Sequence, residues 1–270
     1  MAPVPNQTKI VLVTGANQGL GHAVIEVAGL RYPENVYVLC SRELEKGKDA
    51  ARKLSEELGV KARVDVLQLD VTNDDDVAAA VEHVGKTYGR LDVLVNNAGI
   101  LRGMGMADDT PPVAIRSIFN EVLSVHITSV AVVTLAFKQL LHRSPAPKVI
   151  NVTSGLGSIT NVLTPGRRMA RTPAYGASKV GMNGLTAHLQ VGENDRAAAQ
   201  AVDHPDMARI HFYISNPGVL STNFTGFHPM GGPPQQGAES IVRILADDEG
   251  SYDGAMQWEY VDGEMRQVPW

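Results

Sequence analysis

The chain has 270 residues, 44% of them hydrophobic, with 24 basic and 29 acidic side chains and a formal net charge of -5. That is enough apolar material for a large core, and the acidic balance argues against a nucleic-acid partner, which would want a basic excess. The one cysteine, Cys40, excludes an intrachain disulfide and lies in an apolar run from Val36, where it reads as core filling.

Met1–Lys9 has no apolar stretch, so no secretory signal is expected. The longest apolar candidate, Val130–Phe137, is well short of the ~20 residues of a membrane helix. The expectation is a soluble cytoplasmic protein with no membrane association.

In chain order, Ile10–Val13 reads as a buried strand and Leu20–Leu30 as a helix, followed by strand Val36–Leu39 and helix Glu43–Leu58. Strand Val64–Leu69, helix Asp74–Tyr88 and strand Leu91–Val95 continue the alternation. Pro111-Pro112 opens a long helix to about Leu141, with proline at the first turn. Val149–Val152, Ile210–Ile214 and Met256–Val261 read as further strands, and Tyr175 to about Val191 and Gln236–Leu245 as helices.

Strands apolar throughout and separated by helices predict an α/β fold: a doubly wound, mostly parallel sheet covered on both faces, a three-layer sandwich. No composition shift or repeat divides the chain, so residues 1–270 read as one domain. Three long loops break the rhythm, at Gly155–Pro173, Gly192–Met207 and Ser221–Gln235. The first and last follow strands five and six, at the edge of a parallel sheet where ligands sit.

Thr14-Gly15-Ala16-Asn17-Gln18-Gly19-Leu20-Gly21 joins the first strand to the first helix. Glycines there let backbone approach a pyrophosphate, which the helix N-terminus attracts. The spacing is the Thr-Gly-x-x-x-Gly-x-Gly pattern. With Asn96-Asn97-Ala98-Gly99 after strand four, Ser154 after strand five, Tyr175-Gly176-Ala177-Ser178-Lys179, and Pro217-Gly218 after strand six, the chain resembles the short-chain dehydrogenase/reductase family. The pieces Val13–Gly19, Leu91–Ile100 and Gly237-Ala238-Glu239, and the end at Trp270, are similar to its carbonyl reductase branch.

The resemblance implies a Rossmann-like fold and a dinucleotide held by Gly15, Asn17, Gln18, Gly19, Leu20 and Gly21. It also implies Ser41, Arg42, Asp70 and Val71, Asn97, Ala98 and Gly99, Tyr175 and Lys179, and Pro217, Gly218, Val219 and Thr222. The end of strand two separates NADP(H) from NAD. It carries Ser41 and Arg42 where an acid would repel a 2′-phosphate, so NADP(H) is expected, with Arg42 clamping the phosphate. The alternative is a solvated Arg42, with Glu43 binding the ribose.

Tyr175 and Lys179, four apart on a helix, share a face. An adjacent ammonium lowers a phenol's pKa from its usual ~10. Ser154 supplies a hydroxyl for the substrate oxygen. The expected activity is NADPH-dependent reduction of a ketone, aldehyde or quinone, with Tyr175 as general acid. Alcohol oxidation, or a non-redox enzyme or scaffold that binds the nucleotide, is the alternative.

The long fourth helix carries His126 where the family has an asparagine. Ile115, Phe119, Val122 and His126 follow helical spacing, placing His126 inward. Two readings stay open: a catalytic link in the proton path, titrating near neutral pH, or a satisfied interior histidine. Gly155 and Leu156, and Phe224 and Phe227 in a lid at about 220–235, are candidate substrate contacts. Arg167, Arg168 and Arg171 could attract an acidic substrate or be a solvated loop. The remaining histidines are scattered and no metal is expected. A small-molecule carbonyl is the one partner expected; monomer and homo-oligomer both remain open.

Overall fold

The computed structural model describes residues 8–165, 172–200 and 208–270. Its centre is one eight-stranded sheet in the order β3-β2-β1-β4-β5-β6-β7-β8. The strands are β1 (Ile10–Val13), β2 (Val36–Ser41), β3 (Arg63–Gln68), β4 (Val93–Asn96), β5 (Lys148–Val152), β6 (His211–Asn216), β7 (Gln257–Val261) and β8 (Glu264–Val268). All neighbours pair in parallel except β7 and β8, which are antiparallel. The sheet is thus the doubly wound, mostly parallel one that the apolar strands predict.

The helices are α1 (Gly19–Arg31), α2 (Leu44–Glu56), α3 (Asp74–Tyr88), α4 (Pro112–Leu123), α5 (Ser129–Leu141), α6 (Ile159–Leu163), α7 (Pro173–Gln200) and α8 (Pro234–Ala246). Alternate residues of β1 feed opposite cores. Val11 and Val13 pack with Ile25 and Ala28 of α1 and Ile241 and Leu245 of α8. Ile10 and Leu12 pack with Val84 of α3 and Val133 and Phe137 of α5. Apolar side chains on both faces are what a covered parallel strand requires.

Four expectations change. The helix from Pro112 to Leu141 is not uniform: a π-helical segment, Ser124–Thr128, separates α4 from α5. The Ser129 hydroxyl donates to the Ser124 carbonyl across this segment at 3.0 Å. Ile115 is exposed, so the inward face at this end begins at Val122.

The 30-residue unit Pro112–Leu141 is long and apolar enough to cross a membrane by length and composition, which the reading of Val130–Phe137 alone missed. Here Val130, Val133, Phe137, Leu140 and Leu141 are buried in the fold.

Helix α7 runs on to Gln200 instead of ending near Val191, because Glu193, just past Gly192, is buried among ion-pair partners that hold the next turn. The rest of the expected second loop, 201–207, lies outside the described residues. Finally, β8 was not foreseen. It forms a hairpin with β7 through Asp262-Gly263, both at positive φ (53° and 87°), the geometry a two-residue turn demands.

Candidate active site

The site forms at the carboxyl edge of the sheet, where β1 and β4 diverge to opposite sides. Thr14 ties the two strand ends together. Its hydroxyl oxygen accepts the N–H groups of Asn97 (2.9 Å) and Ala98 (3.0 Å), while the Asn97 side-chain amide donates to the carbonyls of Thr14 (2.8 Å) and Gly15 (3.1 Å). Thr14 was quoted only as part of the glycine motif, yet it sets the contact between turn and β4 loop.

Two glycines are required by this closeness. A Cβ on Gly15, which has φ +61°, would stand 3.0 Å from Ala98 Cα, and one on Gly21 would stand 2.5 Å from Asn97 Nδ2.

Helix α1 begins at Gly19 with Gln18 as its N-cap, no capping side-chain bond and no acid in its first turn. By contrast α3 is closed by its own residues: the Asn73 side chain accepts from the N–H groups of Asp75 and Asp76, and three acids fill the first turn. The free N–H groups and positive end of α1 therefore suit an incoming pyrophosphate. Thr222, buried in the loop after β6, lies over the same turn, its carbons 3.7 Å from where a Gly19 Cβ would be. Gly218, at φ +75°, gives that loop its bend, while Val219 points to solvent.

At the end of β2, Arg42 is exposed and makes no hydrogen bond or ion pair among the described residues. Ser41 is buried and its hydroxyl donates to the Glu43 carbonyl at 2.8 Å, so it is engaged locally. The Glu43 carboxylate is bound to Lys46 at 2.6 Å. Asp70 Oδ1 accepts from the N–H (2.9 Å) and hydroxyl (2.7 Å) of Thr72, a turn that fixes the loop carrying Val71. The arginine-bearing segment at 167–171 lies outside the described residues.

The reacting groups converge. Tyr175 is buried on α7 with its phenol beside Ser154. Lys179 Nζ lies 5.5 Å from the centre of the Tyr175 ring and donates to the Val152 carbonyl at 2.8 Å. Burial pushes the Tyr175 phenol up to about 12, with the Ser154 hydrogen bond working the other way. Burial alone draws the Lys179 ammonium down to about 7. Burial thus outweighs any lowering of the phenol by Lys179. Desolvation dominates both groups and keeps the phenol protonated at neutral pH.

The loop after β5 is held from behind. Leu156 N–H donates to Ser154 Oγ at 3.3 Å, and Asn183 Nδ2 donates to the carbonyl of Gly157 at 3.1 Å and to Gln257 Oε1 at 3.1 Å. A Cβ on buried Gly157 would stand 2.8 Å from Thr153 Oγ1. Neither Asn183 nor Gln257 was anticipated, since each supports the site from more than 25 residues away.

On the open side Phe224 leans on Tyr175, ring centres 5.9 Å apart. Phe227 and Met230 are exposed farther out. The lid is tied at its base, Ser221 N–H donating to Gly232 O (2.8 Å) and Gly232 N–H to Val219 O (2.9 Å). It is narrower than 220–235, because α8 starts at Pro234.

His126 is buried in the π-helical segment. Its Nε2 accepts from Ile100 N–H (3.0 Å), its Nδ1 meets Ser178 Oγ (2.8 Å), and its ring stands edge-on to Tyr175 with centres 5.3 Å apart. Burial first, then the nearby Lys179, holds its pKa down to about 2. Both effects work against titration near neutral pH, one of the two open readings.

Residues 9–226 match the family model described as short chain dehydrogenase. A short-chain dehydrogenase/reductase of Aspergillus fumigatus is 64% identical over 265 residues, covering 98% of both chains. Among solved structures, an NADPH-bound carbonyl reductase from chicken fatty liver superposes with a TM-score of 0.75 at 20% identity, covering 97% of this chain and 99% of the other. The Pseudomonas aeruginosa RhlG/NADP complex gives 0.72 at 24% identity, covering 97% and 98%. A matched family model over most of its length and a relative identical at nearly two positions in three make this chain a member of the short-chain dehydrogenase/reductase family of oxidoreductases.

Proposed function

We propose that the protein is an NADPH-dependent reductase of a small carbonyl compound, a ketone, aldehyde or quinone. The observation that carries this reading is the junction of a buried Tyr175 with Ser154 and Lys179, beside an uncapped helix N-terminus and glycine turn. A protonated phenol beside Ser154 can give a proton to a carbonyl oxygen, as reduction needs. The intact trio also counts against a scaffold that only binds the nucleotide.

The residues fit the dinucleotide. The Gly15–Gly21 turn and the first N–H groups of α1 would hold the pyrophosphate, and the unpartnered Arg42 would hold a 2′-phosphate with two parallel hydrogen bonds. Glu43, occupied by Lys46, is a poorer ribose acceptor, which favours NADPH over NADH. Bound, the reduced nicotinamide supplies the hydride. The chain's own part is electrostatic and positional. The Ser154 hydroxyl orients the substrate oxygen, Tyr175 gives that oxygen a proton, and Lys179 stabilises the phenolate left behind. Phe224 against Tyr175 offers an apolar wall to the substrate and keeps water from the phenol.

Loss of NADPH absorbance, followed against a panel of aldehydes, quinones and polycyclic ketones, tests the reading. Turnover of at least one carbonyl class is expected. Tight NADPH binding with no turnover across the panel sinks it.

A further inference from the structure

We propose that His126 is a positioning residue, a neutral strap that holds the β4 cofactor loop and the Tyr175 helix in register, and that no proton passes through it. Four contacts carry this. Ile100 N–H, one residue past the Asn97–Gly99 loop, donates to His126 Nε2 at 3.0 Å. On the other side of the ring Nδ1 lies 2.8 Å from Ser178 Oγ. The Ser178 hydroxyl spends its own proton on the Tyr175 carbonyl at 2.6 Å. The hydrogen between ring and hydroxyl must therefore come from Nδ1, which fixes one tautomer: Nδ1 donates and Nε2 accepts. The ring edge then rests on the Tyr175 ring, at 5.3 Å and 84°.

Both ring nitrogens are thus committed to structure, and neither is free to receive a proton from Lys179. A protonated ring would lose the Ile100 N–H and gain a second cation beside Lys179. The groups facing the ring are Tyr175, Ser178 and Lys179 from α7 and the Gly99–Ile100 backbone from the β4 loop, and none of them is an anion that would favour the charged form. The ring's close fit also explains Gly99, where a Cβ would stand 3.0 Å from His126 Nε2. The π-helical segment Ser124–Thr128 carries this histidine.

This goes beyond the reductase reading and rests on it only for the kinetic measurement. Nitrogen-15 NMR of histidine-labelled protein between pH 5.5 and 8.5 is expected to show one buried histidine in a single Nδ1–H tautomer that does not titrate, identified by its loss in His126→Phe. His126→Phe keeps an edge against Tyr175 and removes both hydrogen bonds. It is expected to lower kcat roughly ten- to hundred-fold through misplacement and to raise the NADPH dissociation constant. The acidic limb of the kcat/KM profile should not move. Should that variant fail to fold, Ser178→Ala removes one end of the strap, and a mixed tautomer with a smaller fall in kcat is expected. Titration of His126 inside that pH window, a displaced acidic limb, or unchanged kcat and NADPH affinity in a folded His126→Phe overturns the proposal. If the wild type reduces no carbonyl, the reductase reading falls while tautomer and NADPH affinity still decide the strap.

Discussion

The two edges of the sheet treat charge in opposite ways. At the amino edge Glu193, Asp92 and Lys148 are each compensated. Glu193 accepts from His142 Nε2 (2.9 Å), Arg196 Nε (2.8 Å) and Ile210 N–H (3.3 Å), with Lys138 3.3 Å away. Asp92 holds Ile10 N–H (2.7 Å) and Arg90 Nε (3.0 Å), and Lys148 caps α8 through the carbonyls of Ile244 (3.0 Å) and Leu245 (3.2 Å). At the carboxyl edge Lys179 has a carbonyl but no anion, Arg42 has no partner among the described residues, and α1 has no cap. Paired charges hold the strands together; unpaired ones of one sign leave a place for a phosphate-bearing ligand. The same helix, α7, serves both edges, with Tyr175 and Lys179 in its first turns and Glu193 five turns on.

Removing the phenol should give the largest effect. Tyr175→Phe keeps the ring against Phe224 and His126 and deletes only the acid, so kcat is expected to fall by about 10² to 10⁴. NADPH affinity and thermal midpoint should stay near wild type, because Ser154 beside the hydroxyl remains solvent-accessible in part. Steady-state kinetics and a thermal melt check this together. A Tyr175→Phe enzyme of undiminished kcat would mean another group delivers the proton.

Glu193→Gln is the matching change at the closed edge, and it should leave catalysis alone. Removing one partner from a buried ion network costs about 3 kcal/mol, read by urea denaturation at pH 7. Burial alone would raise the Glu193 pKa, but Arg196, His142 and the Ile210 N–H outweigh it and hold the carboxyl at about 2. A depressed folded-state value means stability that is present above the unfolded value of 4.5 and lost as pH falls toward 2. The difference between wild type and Glu193→Gln should therefore shrink through that window. A gap that stays constant down to pH 2.5 would show that packing, not ionisation, accounts for the loss.

Legibility follows the same division. The carboxyl edge was readable because its signals are local: Gly15, Gly19 and Gly21 in one turn, Tyr175 and Lys179 four apart. What the residues touch was not. Ser41 looked like a free donor, yet nothing in its sequence neighbourhood reveals that its hydroxyl turns to the Glu43 carbonyl. His126 was placed inward by spacing, but Ile100 and Ser178 lie 26 and 52 residues away, and only the fold brings them to its two nitrogens. The Glu193 network escaped for the same reason, and with it the full length of α7, since Gly192 read as a breaker until burial of its neighbour outweighed helix propensity. The β7–β8 hairpin had a usable mark in Asp262-Gly263, masked by the polar residues Glu264, Arg266 and Gln267 of an edge strand that no apolar run announces.

The smallest expected effect tests whether the open edge was built for a phosphate. Arg42→Ala removes an exposed cation with no hydrogen bond or ion pair among the described residues, so stability should be unchanged within about 0.5 kcal/mol. If its task is the 2′-phosphate, NADPH affinity should fall about ten-fold or somewhat more, roughly 1.4 kcal/mol, while NADH affinity holds or improves. Salt sharpens the result. An exposed ion pair weakens as ionic strength rises, so the preference of the wild type for NADPH over NADH should narrow between 0.01 and about 0.5 M salt, and that of the variant should hardly respond. A wild type that prefers NADH, or a variant that loses both cofactors equally, would make Arg42 an ordinary surface charge and return the ribose to Glu43, which would first have to leave Lys46.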